Sequence, residues 1–343
     1  MYIENNKIKK YITFWLALMF WIISIMIIIG GLTRLTDSGL SITKWQLFTG
    51  ILPPLNTSEW ENAFNLYKEI PEYKLLNFLM TLDEFKTIYW WEYIHRILGR
   101  IVGVLYFLPL LYFTFKKYIP KKKLLILYLI LILIMIQGLF GWYMVQSGLT
   151  EGTDVSHYRL SLHLTLAFII MMMLFWNFLI YIDKNKISTD MKISNFIMVP
   201  YVFCLILQIS LGALVSGLDA GQIYQSWPLM GQNYFPDDSN INDLFNLGFL
   251  ENPSIVQFIH RNVAYFIFLL FVFILYKVFL NENLFHLKKI ATIVLLLLLF
   301  QIFLGILTVL NGAPIILASI HQISSIFLII SSLVLFYENS RIN

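Results

Sequence analysis

An uncharged apolar run lies near the start of the chain, at residues 11–33: YITFWLALMFWIISIMIIIGGLT. A helix needs about 20 apolar residues to cross a bilayer, so this run predicts a membrane span. The run is too long for the apolar core of a signal peptide and has no small-x-small cleavage site before Arg34, so we expect a retained helix. Because it begins close to Met1 and leaves no room for an organellar transit peptide, we expect a bacterial inner membrane.

Further apolar runs of the same kind follow it, at residues 94–115, 124–146, 160–182, 193–217, 255–280, 290–310 and 313–337. Hydrophobic residues make up 59% of the 343 positions and charged residues only 13%, too few to cover a soluble domain of this size. The sequence therefore predicts an all-α integral membrane protein with eight transmembrane helices. A long periplasmic loop is expected at residues 34–91, and the single Cys204 excludes an intrachain disulfide.

The distribution of charge predicts the orientation, because Lys and Arg are retained on the cytoplasmic side. With both termini inside, 15 of the 24 basic residues are cytoplasmic: Lys7, Lys9, Lys10, Lys116, Lys117, Lys121, Lys122, Lys123, Lys184, Lys186, Lys192, Lys277, Lys288, Lys289 and Arg341. Only five of the 20 acidic residues lie on that side: Glu4, Asp183, Asp190, Glu282 and Glu338. The net charge of +4 thus reflects topology, and we expect no nucleic-acid partner.

The two halves of the chain repeat the same pattern. GGLTRLTDSG at residues 30–39 aligns without gaps on GALVSGLDAG at 212–221, and the following Trp and Pro align as well. IHR at 94–96 matches IHR at 259–261, and Q-x3-G-x3-V-x2-G begins at both residue 137 and residue 301. We expect two four-helix bundles, residues 1–187 and 188–343, arranged as parallel repeats.

Four histidines fall at equivalent places in this repeat, each in the outer third of its predicted helix: His95, His163, His260 and His321. Two facing imidazoles inside a four-helix bundle can hold a haem iron from both sides. The alternative is that each histidine only bonds a neighbouring helix. The position one turn after each histidine is small, which would clear space for a flat ligand: Gly99, Ala167, Ala264 and Ser325.

Arginines accompany these histidines near the outer boundary: Arg96, Arg100, Arg159 and Arg261. Haem propionates need cationic, forked donors, and these four are the candidates. The alternative is that each reaches from the membrane towards water.

The halves differ at one titratable position. Glu92 stands three residues before His95, on the same helix face, whereas Gln257 stands three residues before His260. A carboxyl beside a porphyrin can transfer protons or stabilise developing positive charge, so Glu92 is the candidate catalytic acid. Alternatively, it is a helix N-terminal carboxylate stabilised by the helix dipole.

The sequence resembles haem A synthases of the proteobacterial and mitochondrial branch. The resemblance rests on GGLTRLTDSGLS at 30–41, EYIHRILGR at 92–100, GALVSGLDAG at 212–221, WPLM at 227–230 and QFIHR at 257–261. It implies oxidation of the C8 methyl group of haem O to a formyl group. It also implies that His260 and His321 bind a resident haem b, that His95 and His163 bracket the substrate haem, and that Glu92 is catalytic. The cysteine pairs that some members carry in their outer loops are absent.

Two other functions fit the histidines. A b-type cytochrome would relay electrons through unmodified haems, and a haem-binding assembly factor would bind haem O without converting it. The expected partners are haem O and the membrane enzyme that makes it, a membrane or small-protein electron carrier, and cytochrome oxidase assembly factors. We also expect a homo-oligomer.

Overall fold

The computed structural model describes residues 6–45, 49–182 and 192–341. Within these ranges the chain is helical and has no β-strand. Its α-helices are α1 (Asn6–Leu35), α2 (Thr57–Tyr67), α3 (Pro71–Leu75), α4 (Leu82–Phe115), α5 (Lys121–Glu151), α6 (His157–Ile182), α7 (Asn195–Gly217), α8 (Pro253–Leu280), α9 (Phe285–Leu310) and α10 (Ile315–Ser340).

Eight of these helices are long and apolar enough to cross a membrane, all except the short α2 and α3. This confirms the predicted number of spans and the all-α membrane fold. Their polar side chains bond across to neighbouring helices, as a bilayer interior requires. The Trp15 indole N–H of α1 donates to the carbonyl of Leu105 in α4. The Tyr106 hydroxyl of α4 donates to the carbonyl of Leu127 in α5.

The second predicted span begins earlier than residue 94, because α4 starts at Leu82. Thr81 caps it: the Glu84 N–H donates to the Thr81 hydroxyl, and Glu84 in turn accepts from the Thr81 N–H. With 34 residues at about 1.5 Å each, α4 is longer than the hydrocarbon core of a bilayer. Residues 82–91 of the expected loop therefore form the first turns of α4, and the segment before α4 also contains α2 and α3.

Aromatic side chains hold this extra-membrane segment together. Phe64 and Tyr67 of α2 pack against Phe85 of α4 with ring centroids 5.0 and 5.2 Å apart, and Trp60 meets Tyr89 edge-on at 4.9 Å. Tyr67 and Phe85 are completely buried. The segment that contains α2 and α3, called the cap below, is thus a small folded region that packs on the helices of its own half.

The chain divides into two compact units, Met1–Leu174 and Phe175–Asn343. The first holds α1 to α5 and most of α6, and the second holds the end of α6 and α7 to α10. The predicted boundary between residues 187 and 188 lies outside the described residues, as do Glu4, Asp183, Lys184, Lys186 and Asp190 from the charge analysis.

The two units share a local feature that explains part of the sequence repeat. Asp37 after α1 and Asp219 after α7 both adopt positive φ, at 47° and 50°. Asp and Asn tolerate this left-handed conformation better than other residues with a side chain. In the first unit the aspartate is also paired with Arg34, whose Nη1 lies 2.7 Å from Asp37 Oδ1.

Candidate functional site

Each of the four repeat-related histidines lies against a glycine of a neighbouring helix. A Cβ built on that glycine would stand 3.0 to 3.2 Å from a ring atom, so any larger residue would push the imidazole aside. The pairs are Gly30 with His95, Gly141 with His163, Gly212 with His260, and Gly305 with His321. These glycines are themselves repeat-equivalent, and their role explains why they align in the two halves.

The histidines of each unit interact electrostatically. His95 and His163 of the first unit lie within electrostatic range of each other, and so do His260 and His321 of the second. Three of them lie in the first third of their helices, whereas His95 does not, because α4 begins at Leu82.

The residues fit a haem iron ligated from two sides. Buried ring nitrogens of His163 and His260 have no hydrogen-bond partner among the described residues, and imidazole nitrogen is a common axial ligand of haem iron. No group of three or more His, Cys, Asp or Glu that could hold a metal ion lies in the described ranges. A porphyrin iron would need only two protein ligands, and each pair of histidines could supply them.

Glutamines support three of the four histidines, a feature that sequence reasoning did not assign. Their side-chain amides each donate to the backbone carbonyl of the histidine at 3.0 Å: Gln137 to His163, Gln208 to His260, and Gln301 to His321. Each glutamine lies four residues before the glycine that contacts the same histidine, so the two side chains share a helix face. The signal was the pattern Gln-x3-Gly, visible at residues 137 and 301.

Glu92 is 3% exposed and is bound through both carboxylate oxygens. Oε2 accepts from the Ser41 hydroxyl and the Ile42 N–H, both at 2.7 Å. Oε1 accepts from Nε and Nη2 of Arg96 at 2.9 and 2.5 Å. Arg96 Nη2 also donates to the Ile42 carbonyl, and the guanidinium lies over the Trp45 ring. Glu92 therefore ties the segment after α1 to α4.

Glu92 is not the helix N-terminal carboxylate that the sequence allowed, because it lies well inside α4. Its distance from the first turn removes most of any stabilisation by the helix dipole. The ion pair with Arg96 and the loop contacts are what hold the carboxylate.

The contacts of Glu92 and Arg96 with the loop after α1 are called the clasp below. The second unit has an equivalent clasp that contains no carboxylate. Gln257 Nε2 donates to the Tyr224 carbonyl at 3.2 Å, and Arg261 Nη2 donates to the same carbonyl at 3.0 Å. Tyr224 occupies the position in the second repeat that Ile42 occupies in the first. Equivalent side chains of the two units therefore bind equivalent positions of their loops. The arginines at 96 and 261 thus position loops as well as being propionate candidates.

The other two candidate arginines are placed differently. Arg159 lies over the Tyr143 ring at 4.5 Å and donates to its hydroxyl. Arg100 follows Arg96 by one turn on α4. The two remaining histidines, His157 and His286, lie in the first turns of α6 and α9, and each is half-buried.

A second buried carboxyl, Glu72 of α3, was not found from the sequence. It is 4% exposed, accepts from the Tyr67 hydroxyl at 3.1 Å, and has its other oxygen without a hydrogen-bond partner among the described residues. Burial, assisted by the carboxylates of Asp154 and Asp37, raises the pKa of Glu72 to about 8, although the hydrogen bond from Tyr67 lowers it. Burial likewise raises the pKa of Tyr67. Nothing in the local sequence, PEYKL, distinguishes Glu72 from a surface residue.

The fold and the paired histidines define a class, that of multi-pass helical membrane proteins with two equivalent histidine sites. The sequence matches the family described as cytochrome oxidase assembly protein over residues 13–333, and the chain belongs to this family.

Its relatives carry a consistent name. A protein of Pelagibacter ubique named "Heme A synthase" is 47% identical over 99% of this chain and the whole of its own length. Proteins of the same name from Rickettsia felis and Rickettsia akari are each 44% identical over 94% of this chain and 96% of theirs. These matches confirm the resemblance to haem A synthases.

Proposed function

We propose that this protein is a haem A synthase, an oxidoreductase that converts the C8 methyl group of haem O into a formyl group. The observation that carries the proposal is the set of four histidines, each against a glycine, in two repeat-related pairs. Family membership and full-length relatives named "Heme A synthase" support it. A single pair would serve a cytochrome, whereas a synthase needs a place for its substrate besides the place for a resident cofactor.

We assign the resident haem b to the second unit, between His260 and His321. A bound haem b supplies one-electron redox chemistry at that position. The residues of this unit are the better anchored, because glutamines contact both histidines there. A permanently bound cofactor benefits from such fixed ligands.

The substrate haem is assigned to the first unit, between His95 and His163. The clasp of this unit contains an acid, Glu92, where the other has Gln257. Oxidation of a methyl to a formyl group releases protons, and a carboxyl near the reacting edge can accept or relay them. The carboxylate also offsets positive charge that develops on the oxidised substrate.

The four arginines Arg96, Arg100, Arg159 and Arg261 are the proposed propionate contacts. Forked guanidinium donors suit carboxylates. Arg96 and Arg261 already donate to loop carbonyls, so a propionate at either would share the guanidinium with the loop.

We place the protein in the bacterial inner membrane with both termini in the cytoplasm, from the Lys and Arg count. The proposed partners are haem O, the membrane enzyme that makes it, an electron carrier, cytochrome oxidase assembly factors and a second copy of the chain. The family's description as an assembly protein fits a role in supplying haem A to cytochrome oxidase.

The experiment is pigment analysis of the protein purified from cells with and without co-expressed haem O production. A synthase yields haem A, or a hydroxylated precursor, only when haem O is made. A b-type cytochrome yields haem b alone under both conditions. A binding protein or assembly factor yields unconverted haem O even with reductant and oxygen present. Either of the last two results contradicts the proposal.

A further inference from the structure

The four histidine positions are built alike except at one residue. Three of them pair a glycine with a glutamine one turn before it on the same helix, and the fourth pairs Gly30 with Met26. Repeat alignment makes Met26 the counterpart of Gln208, since both precede their glycine by four residues and differ by the constant shift of the repeat. The exception falls on His95, in the unit assigned to the substrate.

The glutamines of the second unit contact the imidazole rings as well as the backbone. Gln208 Nε2 lies 3.3 Å from His260 Nε2, and Gln301 Nε2 lies 3.3 and 3.4 Å from the two ring nitrogens of His321. The Ser324 hydroxyl donates to Gln301 Oε1 and fixes that amide. A histidine in this unit therefore cannot shift without disturbing a polar contact inside the membrane.

Met26 offers His95 no such contact. Its methyl carbon would lie 3.7 Å from a Cβ placed on Gly99, so it packs against α4 one turn from His95. A thioether has no hydrogen to donate. No side chain donates a hydrogen bond to His95 within the part of the chain that the structure describes.

We propose that Met26 makes His95 the releasable axial ligand of the substrate haem, while His163, His260 and His321 stay bound. The inference rests on the proposed function. In the release step the bond between iron and the imidazole nitrogen breaks, the electron pair returns to the ring, and nothing is oxidised or reduced. Moving the His95 imidazole breaks no hydrogen bond from a glutamine, whereas moving the ring of His260 or His321 disturbs a glutamine contact and the backbone of His163 is held by Gln137. Release opens one coordination position, and only on the haem that is to be oxidised. Met26 is a positioning residue in this scheme.

Carbon monoxide tests the proposal, because it binds reduced haem only where an axial position is open or its ligand exchanges. The whole protein is purified with haem, reduced, and mixed with carbon monoxide, and the rate and the fraction of total haem that reacts are recorded. The parent is expected to react at one of its two haems. Met26→Gln installs the missing donor and is expected to slow that reaction about threefold to tenfold, the range of one hydrogen bond between helices.

Two further variants separate the donor from other effects of the residue. Gln208→Met removes a donor from the second unit and is expected to make the resident haem reactive. Met26→Leu keeps an apolar side chain without a donor and is expected to react like the parent. Because the two swaps act in opposite directions on repeat-equivalent positions, general loosening of the protein cannot imitate the pattern.

The proposal is overturned if the parent does not react although both haems are present, or if Met26→Gln reacts at the parent rate. It is also overturned if Gln208→Met leaves the resident haem inert, or if Met26→Leu loses reactivity, which would assign the role to sulfur. Should Met26→Gln fail to fold, the Gln208→Met result decides. Failure of the proposed function looks different: the extracted pigment is then haem b alone or unconverted haem O, whichever residue stands at position 26.

Discussion

Gly141 of α5 lies so close to His163 of α6 that a Cβ on the glycine would stand 3.0 Å from Cε1 of the imidazole. We therefore expect Gly141→Ala to displace the ring and to lower haem occupancy in the first unit. Gly138 lies one turn earlier on the same helix with nothing within 4 Å of an added Cβ. Gly138→Ala is the matched control and should be neutral or stabilising by up to about 1 kcal/mol. The measurement is haem per protein after purification, and equal loss in both variants would contradict the close-contact explanation.

Loss of an axial ligand tests the second unit. We expect His260→Ala or His321→Ala to remove the resident haem b and the activity with it, because the iron is left under-coordinated in a site built for two ligands. Absorption spectra of the reduced proteins and extraction of their haems provide the readout. An unaltered low-spin spectrum in both variants would show that these histidines are not the ligands.

Because Glu72 is buried, we expect the local stability of the cap to depend on pH. The pKa of Glu72 is raised to about 8 in the folded protein, above the ordinary value of 4.5. Its stabilising contribution is therefore complete below pH 4.5 and is lost as the pH rises towards 8. Within that window the cap should lose about 1.4 kcal/mol of local stability per pH unit.

Protease cleavage between residues 57 and 81 measures this effect, with the protease calibrated on an unfolded substrate at each pH. Cleavage should accelerate with rising pH in the parent and much less in Glu72→Gln, which cannot ionise. Glu61→Gln changes an exposed carboxyl of α2 and is the control. A parent whose cleavage rate does not rise between pH 5 and 8 would rule out a buried, neutral Glu72.

The orientation is open to a fusion experiment. Alkaline phosphatase is active only outside the cytoplasm, and Pro236 lies in the segment after α7 whereas Lys123 lies at the start of α5. A fusion after Pro236 should be active and a fusion after Lys123 inactive, as the Lys and Arg distribution requires. The reverse pattern would place both termini outside.

Local patterns were sufficient to predict the spans but not the cap. Eight helices followed from long apolar runs, which need no knowledge of their neighbours. The helices α2 and α3 and the first turns of α4 are too polar for that criterion, although Asn56 with Glu59 and Thr81 with Glu84 mark helix starts. The four histidines were found because they repeat. The contacts of Gly141 and Gln208 with histidines could not be predicted from the sequence, because they depend on which faces of neighbouring helices pack together.

The partners of Glu92 show the same limit. Ser41 and Ile42 lie 51 and 50 residues away in sequence, and no spacing rule links a loop to a helix at that separation. The sequence singled out Glu92 only by its contrast with Gln257. The structure adds that both residues clasp a loop, so a test of catalysis at Glu92 must separate chemistry from loop anchoring.

Replacing Glu92 by Gln copies the residue of the other unit, nearly preserves its size, and removes the charge that balances Arg96. If Glu92 transfers protons or stabilises positive charge on the oxidised substrate, turnover should fall by roughly 10² to 10⁴-fold, the usual contribution of acid–base catalysis. Haem O or a hydroxylated intermediate should then accumulate. Ser41→Ala is the matched control, because it removes one hydrogen bond of the same clasp and leaves the carboxylate in place. An anchoring role alone predicts that both variants lower protein yield and haem content while each haem-loaded molecule still turns over normally. The deciding quantity is haem A formed per haem-loaded protein, measured by chromatography of extracted haems. A ratio near one between Glu92→Gln and the parent would leave Glu92 as a loop anchor and would move the search for the proton acceptor elsewhere in the first unit.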